Sequence, residues 1–510
     1  MSSPPSPPPR TAGSVASAPV VVTVDVTAVA VIAARVTVTA TVIAPRVTGT
    51  ATAAGCVTGI LTGHAPSTAL TSLRVEQQHR LTTLESGVRI VTEAMPSVRS
   101  VSLGLWIGTG SRYESDAEAG LSHLLEHLLF KGTAKYESLQ IDQIFDGMGA
   151  ELNAGTGKET TSVYARVIDE HLGDAFDVMA DMVFRPALTD IESEREVILE
   201  EIAMYEDDPQ EKVFDMLGEA VFGDDPLGRA IIGRAEVISG TPAADIARFH
   251  HARYRPQNVV ISAAGAVDHD AFVALARDRC DPPPRPPGDA AAVPTPADHA
   301  AVVARRPGRR FERKDTEQYH VCLGGTGLSR HDDRRFALRV LDTIFGGTSS
   351  SRLFQEVRER RGLAYSVYSF TSAYSDTGQV GLYVGTRADN LVQALSVVGT
   401  ELERFRSEPA TPEELVRAKE NLKGRVVLAL ESTGARMNRL GSEILAESPL
   451  LALDEVVERI DGVTLSDLAA LTDELWAPER LSAAGIGPEA ERFDEALRAV
   501  VPELAESPVG

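Results

Sequence analysis

Cysteine is scarce in this chain of 510 residues, which contains only Cys56, Cys280 and Cys322, far apart in the sequence. Three isolated cysteines exclude a disulfide scaffold and a zinc site built from cysteine pairs. Reduced thiols are typical of proteins in a reducing compartment, so we predict a cytoplasmic location.

Basic residues are outnumbered, since 50 Lys and Arg face 73 Asp and Glu and the formal net charge is −23. A nucleic-acid-binding surface needs clustered cations that displace counterions from phosphates. We therefore predict that no nucleic acid is a partner. The hydrophobic fraction of 43% is ordinary for a globular protein, and the length suggests about two to four domains.

Acidic residues are almost absent from residues 1–75, where Asp25 is the only one. This segment is built mainly from Ala, Val, Thr, Pro, Ser and Gly, and we predict a disordered, low-complexity N-terminal segment. Its apolar stretch at residues 18–44 is interrupted by Asp25 and Arg35 and fits neither a membrane span nor a signal peptide. We predict no membrane partner. The unusual apolar stretch keeps a secreted or membrane-associated location open as the alternative.

The remaining chain divides into two halves of similar size. A Pro/Ala-rich connector occupies residues 281–308 and is poor in residues that could form a core. We predict a first domain at residues 76–280 and a second domain at residues 309–505.

The two halves repeat each other. Gly108-Thr-Gly110 follows an apolar strand pattern and returns as Gly325-Thr-Gly327, 217 residues later. Phe130-Lys-Gly-Thr133 returns as Phe345-Gly-Gly-Thr348, 215 residues later. Two matches at nearly the same offset predict a duplicated domain.

A helical pattern from Ala117 to Phe130 contains the sequence His123-Leu-Leu-Glu-His127. The two histidines are four residues apart, so their imidazoles lie on one helix face and suit two ligands of a tetrahedral Zn²⁺. Glu126 lies at the edge of that face and can act as general base on a metal-bound water without being a ligand. A purely structural role would bury these polar groups at a cost in free energy.

The second half lacks these residues. At the 215-residue offset it has Leu338, Leu341 and Asp342 at the corresponding positions. A copy used only for packing does not need the full polar set, so we predict that the chemistry lies in the first domain and that the second is a degenerate copy without metal ligands.

A third metal ligand is expected to be a carboxylate. The helical pattern from Ile191 to Asp208 places Glu201 on an apolar stripe with Val197 and Ile198, where a carboxylate needs a metal or another partner. Glu200 is turned about 100° away and remains the alternative ligand.

Glu194 lies about two turns before Glu201 on the same stripe. From there it could orient a ligand histidine by accepting the hydrogen bond of its second ring nitrogen.

In combination, these motifs resemble the pitrilysin, or inverzincin, family of zinc peptidases. The likeness is greatest to the bacterial relatives of the mitochondrial processing peptidase beta subunit, and it runs from about residue 77 to residue 500. The stretches that carry it are His123–Thr133, Gly149–Ala154, Glu194–Glu201, Pro226–Arg229, Tyr254–Asn258, Ser351–Arg358 and Arg361–Tyr365.

The resemblance implies an α+β fold of two homologous domains, each a mostly antiparallel sheet packed with helices, which together form half of a clamshell. It implies one Zn²⁺ per chain, bound by His123, His127 and Glu201, with Glu126 as the general base. In this family two such chains enclose a chamber, so a homodimer is expected, or a pair with a homologous chain.

The resemblance also assigns residues that bind substrate. The family's distal Arg and Tyr fall on Arg358 and Tyr365, which in a dimer would face the zinc of the partner chain. A merely charged run offers the alternative explanation of Arg358. The edge strand that pairs with substrate falls on Asn153 and Ala154.

These expectations define an activity. We predict a zinc metalloendopeptidase that hydrolyses peptides or unfolded segments inside a closed chamber, with metal-bound water as nucleophile. The alternative is a non-catalytic partner or scaffold subunit, because the family includes members that keep the fold and lose the ligands. The intact ligand set in the first half favours the enzyme.

Overall fold

Two β-sheets organise the structure, a computed structural model that describes residues 79–280, 306–408 and 410–505. The predicted N-terminal segment at residues 1–75 and most of the predicted connector at residues 281–308 lie outside these ranges. Within the described ranges, no helix is both long and apolar enough to cross a membrane.

The first sheet contains six strands, which are β1 (His79–Thr83), β2 (Arg89–Ala94), β3 (Ser100–Ile107), β4 (Glu151–Thr156), β5 (Thr161–Ile168) and β6 (Val259–Gly265). Their order across the sheet is β1-β2-β6-β3-β5-β4, so β4 forms an edge. Neighbours are antiparallel except the parallel pair β2 and β6.

The second sheet contains five strands, which are β7 (Arg309–Arg313), β8 (Gln318–Gly327), β9 (Ser366–Ala373), β10 (Gly378–Arg387) and β11 (Ser482–Gly487). Their order is β7-β11-β8-β10-β9, and only β7 and β11 are parallel. Five strands of the first sheet, in the order β2-β6-β3-β5-β4, correspond one by one to these five strands. The parallel pair β2 and β6 corresponds to the parallel pair β7 and β11. The two sheets therefore repeat one topology, as the duplicated motifs predict.

Helices cover both sheets. The first half contains α1 (Leu121–Leu129), α2 (Ser138–Met148), α3 (Leu172–Phe184), α4 (Ile191–Asp207), α5 (Pro209–Phe222), α6 (Ala235–Gly240), α7 (Ala243–Arg253) and α8 (His269–Arg277). The second half contains α9 (Arg335–Phe345), a π-helix at Phe354–Glu359, α10 (Leu391–Ser407), α11 (Pro412–Ala429), α12 (Thr433–Leu445), α13 (Leu453–Asp461), α14 (Leu465–Leu475), α15 (Ala490–Leu497) and α16 (Pro502–Ala505).

The two halves exchange one helix each. Helix α5 of the first half packs on β8 and β11, where Leu217 joins a buried cluster with Cys322. Helix α12 of the second half packs on β2, β3 and β6, where Met437 joins a cluster with Val260. Because each sheet buries one face against the other half's helix, apolar burial holds the halves together.

Candidate metal centre

Helix α1 presents the two histidines and is anchored by its leucines. Leu124, Leu125 and Leu128 are fully buried in the core of the first half. The sequence pattern predicts a helix from Ala117, but α1 begins only at Leu121. Gly120 adopts a left-handed conformation with φ of 102°, which interrupts the helical path just before α1.

Glu114 secures the N-terminus of α1. Its buried carboxylate accepts hydrogen bonds from the backbone N–H groups of Gly120 at 2.9 Å and Ser122 at 2.7 Å. An anion at a helix N-terminus satisfies unpaired N–H groups and interacts favourably with the helix dipole. The sequence analysis missed this residue, because a cap that lies before an intervening turn has no regular spacing to the helix.

Three side chains converge on one point. Nε2 of His123 and Nε2 of His127 each lie 3.7 Å from Oε2 of Glu201. One ligand atom from each residue lies within 4.8 Å of the other two. A tetrahedral Zn²⁺ with ligands at about 2.0–2.2 Å holds its ligand atoms roughly 3.4 Å apart, so small shifts would complete the site. The donor set of two imidazoles and one carboxylate fits zinc.

Burial prepares His123 for a metal. Burial, and to a smaller extent the neighbouring His127, lower the pKa of His123 to about 4. The imidazole is therefore neutral at pH 7 and keeps the lone pair that a metal needs. Burial also raises the pKa of Glu201, while His127 acts in the opposite direction.

Glu194, predicted to orient a ligand histidine, lies within hydrogen-bond distance of His127. Its carboxylate is buried, with Oε2 at 3.3 Å from Nδ1 of His127 and Oε1 at 2.8 Å from Nζ of Lys131. The sequence analysis missed Lys131. It lies two residues beyond Leu129, where α1 ends, so a helical spacing from His127 could not have indicated it.

The predicted apolar stripe on α4 is narrower than expected. Ile198 is fully buried, but Val197 is 47% exposed, so the prediction of a buried Val197 is wrong. Val197 is turned about 60° from Glu194 around the helix axis, at the rim of the contact with α1. Glu201 lies nearer the centre of that face and belongs to the converging group, whereas Glu200 is exposed and does not.

Glu126 lies beside the converging group on α1. Its Oε2 accepts a hydrogen bond from the hydroxyl of Thr156 at 2.5 Å. Burial raises the pKa of Glu126, and the Thr156 hydrogen bond opposes this effect. A desolvated carboxylate next to a metal site has the character of a general base. Thr156 was missed by the sequence analysis, although it follows Ala154 at the alternate-residue spacing of a strand.

The predicted substrate-pairing residues lie on strand β4, at the edge of the first sheet. Asn153 is exposed, and its side-chain oxygen accepts a hydrogen bond from the backbone N–H of Ala154 at 2.8 Å. An edge strand of this kind can pair with an added peptide.

Arg358 and Tyr365 lie in the second half and contact each other. The Arg358 guanidinium carbon is 4.5 Å from the centre of the Tyr365 ring and 4.7 Å from that of Phe354. Tyr365 is 78% exposed.

The second half has no equivalent site at the repeated position. Asp342, the counterpart of His127, is desolvated on α9 and accepts a hydrogen bond from the Ser369 hydroxyl at 2.6 Å. The Asp342 carboxylate therefore has a hydrogen-bond donor on β9, a strand of its own domain. Of the residues that the structure describes, only the trio around Glu201 forms a group of three or more metal-binding side chains.

Known proteins resemble this chain over most of its length. Residues 89–235 match the family model of the insulinase family, peptidase family M16, and residues 242–422 match that of the M16 inactive domain. An uncharacterized zinc protease of Streptomyces coelicolor is 42% identical and covers 86% of this chain and 98% of its own. An uncharacterized zinc protease of Bacillus subtilis is 39% identical and covers 78% of this chain and 95% of its own.

Two solved structures share the fold. A protease from Helicobacter pylori superposes with a TM-score of 0.75 at 21% identity and covers 81% of this chain and 100% of its own. A peptidase M16 inactive domain from Pseudomonas fluorescens superposes with a TM-score of 0.73 at 22% identity. The match covers 81% of this chain and 98% of the Pseudomonas fluorescens chain. These matches confirm the predicted fold class of two homologous α+β domains, and the curated relatives support a zinc peptidase. The chain therefore belongs to the insulinase family, peptidase family M16.

Proposed function

We propose that this protein is a zinc-dependent endopeptidase that hydrolyses peptides or unfolded segments. The observation that carries the proposal is the convergence of His123, His127 and Glu201 on one point, with Glu126 beside them. A Zn²⁺ held by these ligands, one per chain, would supply a Lewis acid that lowers the pKa of a coordinated water to about 7.

Glu126 would perform the proton transfers. Its carboxylate lies on the same helix as the two histidines and has one oxygen, Oε1, beyond the hydrogen bond with Thr156. It would accept a proton from the attacking water and deliver that proton to the leaving amine. Glu194 would hold the imidazole of His127 in orientation through its Nδ1–H.

Substrate would bind by strand addition. A peptide that pairs with β4 would form main-chain hydrogen bonds at Asn153 and Ala154, which tolerates many sequences. For this pairing, the N–H of Ala154 must exchange its bond with the Asn153 side chain for a peptide carbonyl. Only an extended chain can do so, which favours peptides and unfolded segments.

The second half would complete the site of a partner chain. Arg358 would position the substrate backbone, and the Tyr365 hydroxyl would donate a hydrogen bond to the developing oxyanion. The high exposure of Tyr365 supports this role, because the hydroxyl is available to another molecule. Two chains would then enclose a chamber as a homodimer.

The test is digestion of an unstructured peptide that is blocked at both ends, read by mass spectrometry. An endopeptidase cleaves it internally, and a chelator abolishes the cleavage. Glu126→Gln is expected to keep one zinc per chain and to lose about 100-fold or more in kcat. Glu196→Gln, an exposed change on α4, is the control. If Glu126→Gln cleaves as fast as wild type, the base is another group, and if no preparation cleaves, a non-catalytic subunit is the better description.

A further inference from the structure

Thr156 stands between the edge strand and the candidate base. It is the last residue of β4, and only 4% of it is exposed. Its hydroxyl oxygen lies 2.5 Å from Oε2 of Glu126 and 3.5 Å from the carbonyl oxygen of Ser122. A hydroxyl has one proton to donate, so the much shorter contact, to Glu126, receives it.

This contact restricts the orientation of the Glu126 carboxylate. A glutamate side chain has several rotatable bonds, and a helix fixes only its point of attachment. A charge-assisted hydrogen bond to one oxygen is among the stronger side-chain interactions. The Thr156 hydroxyl thus sets the direction in which the Glu126 carboxylate faces, and the Thr156 backbone N–H adds a smaller contribution on the same side.

The turn after Thr156 is held firmly. Glu159, three residues later, is buried, and its carboxylate accepts hydrogen bonds from Arg112 at 2.6 Å and from the Ser375 hydroxyl at 2.7 Å. It also pairs with Arg330. These partners come from both halves of the chain, so the end of β4 is anchored where the hydroxyl meets Glu126.

Strand alternation places the Thr156 side chain on the inner face of β4. Leu152 and Ala154 share the face of Thr156 and pack against the core of the first half, whereas Asn153 is exposed on the opposite face. The strand that would pair with a peptide therefore also supplies the group that orients the base.

We propose that Thr156 is a positioning residue for Glu126, through the hydrogen bond from its hydroxyl. This inference rests on the proposed function. The Thr156 hydroxyl acts by holding one carboxylate oxygen of the base at a defined place relative to the edge strand.

The test compares Thr156→Val, which removes the hydroxyl at nearly constant volume, with Thr156→Ser, which retains it. The matched control is Thr161→Val. Thr161 is paired with Thr156 across the two strands, and its buried hydroxyl donates to the carbonyl of Thr109 at 3.1 Å. For each variant, kcat and KM on a blocked peptide, zinc per chain and the thermal midpoint are measured.

Thr156→Val is expected to lower kcat by about 10-fold or more, since general base catalysis contributes about 10²–10⁴-fold. KM should change less than about twofold and zinc should remain at one per chain, while Thr156→Ser restores kcat to within about threefold. A kcat of Thr156→Val within threefold of wild type overturns the proposal. The same follows if Thr156→Ser is as slow as Thr156→Val, if Thr161→Val is equally slow, or if the zinc is lost.

A double variant separates this inference from the proposed function. The double variant Glu126→Gln, Thr156→Val should have the same residual rate as Glu126→Gln alone. Once the base is removed, the hydroxyl that positions it has no further effect on the rate. A further loss equal to that seen in wild type means that Thr156 acts independently of Glu126, which overturns the inference and leaves the proposed function intact. A fully active Glu126→Gln means that the base is another group, which overturns the inference but not the zinc peptidase. The proposed function itself fails if the wild type shows no chelator-sensitive cleavage.

Discussion

The Nδ1 atom of His127 lies 3.3 Å from Oε2 of Glu194, a carboxylate that is buried on the neighbouring helix. A carboxylate accepts hydrogen bonds, so this contact assigns the proton to Nδ1 and leaves Nε2 with a lone pair. That same Nε2 faces Glu201 at 3.7 Å. Lys131 holds the other oxygen of Glu194 at 2.8 Å. Glu194 thus determines that Nε2 is the ring nitrogen of His127 that could bind a metal.

Glu194→Gln is expected to weaken zinc binding by about 10–100-fold, because the neutral amide is a poorer acceptor for the Nδ1–H of His127. The measurement is a competition titration with a chelator of known affinity. Glu192→Gln is the control, since the Glu192 side chain lies on the same helix and is 85% exposed. An unchanged affinity in Glu194→Gln would mean that this hydrogen bond does not matter for the metal.

Glu201→Gln and Glu200→Gln are a matched pair of adjacent changes. Glu201 faces both histidines, whereas Glu200 is exposed. We expect the zinc content after dialysis to fall from one per chain to nearly zero in Glu201→Gln and to stay at one in Glu200→Gln. Elemental analysis measures both. The reverse result would assign the third ligand to Glu200.

The ion pair between Arg112 and Glu159 should contribute strongly to stability. Arg112 is fully buried, its contact with Glu159 is 2.6 Å, and its other carboxylate partner is Asp376 at 2.7 Å, so Glu159→Ala would remove one of the two carboxylate partners of a buried charge. A loss of about 1–3 kcal/mol in the free energy of unfolding is expected in urea titrations.

Asp270→Ala is the control for that experiment, because it removes an exposed arginine–carboxylate pair, Arg80 with Asp270 at 2.8 Å. Its unfolding midpoint should change little, since solvent screens such pairs. If the two variants have equal unfolding midpoints, the buried Arg112 pair contributes no more to stability than the exposed Arg80 pair.

A site shared between two chains can be tested by mixing two inactive proteins. Glu126→Gln lacks the base, and Tyr365→Phe lacks the proposed oxyanion donor. If Tyr365 acts on the partner's zinc, mixed dimers carry one complete site, and activity should return to about a quarter of wild type after subunit exchange. Each variant exchanged with itself is the control. Activity that stays at the level of the separate variants would contradict a shared site.

Much of the fold could be predicted from local patterns. The extended segment from Glu151 to Ile168 forms the β4–β5 hairpin, and the helical pattern after Ile191 forms α4. The repeated glycine motifs indicate two sheets of one topology. These predictions succeed because alternation and helical periodicity record which side of each element meets a core. The pattern could not reveal that Gly120 interrupts the helical path, nor that the backbone of Gly233 packs so closely against Gly120 that a Cβ there would clash, since both depend on tertiary contacts.

The sequence by itself determined the paired histidines and Glu126, because a spacing of four residues on one helix fixes their mutual geometry without help from the rest of the chain. Only the tertiary structure decided which partners meet them. Thr156 reaches Glu126 from the edge strand, Lys131 and His127 share Glu194, and α5 and α12 exchange between the halves. These contacts join separate elements, so they depend on how the helices and sheets pack. The residues involved have no regular spacing in the sequence that would predict the contacts.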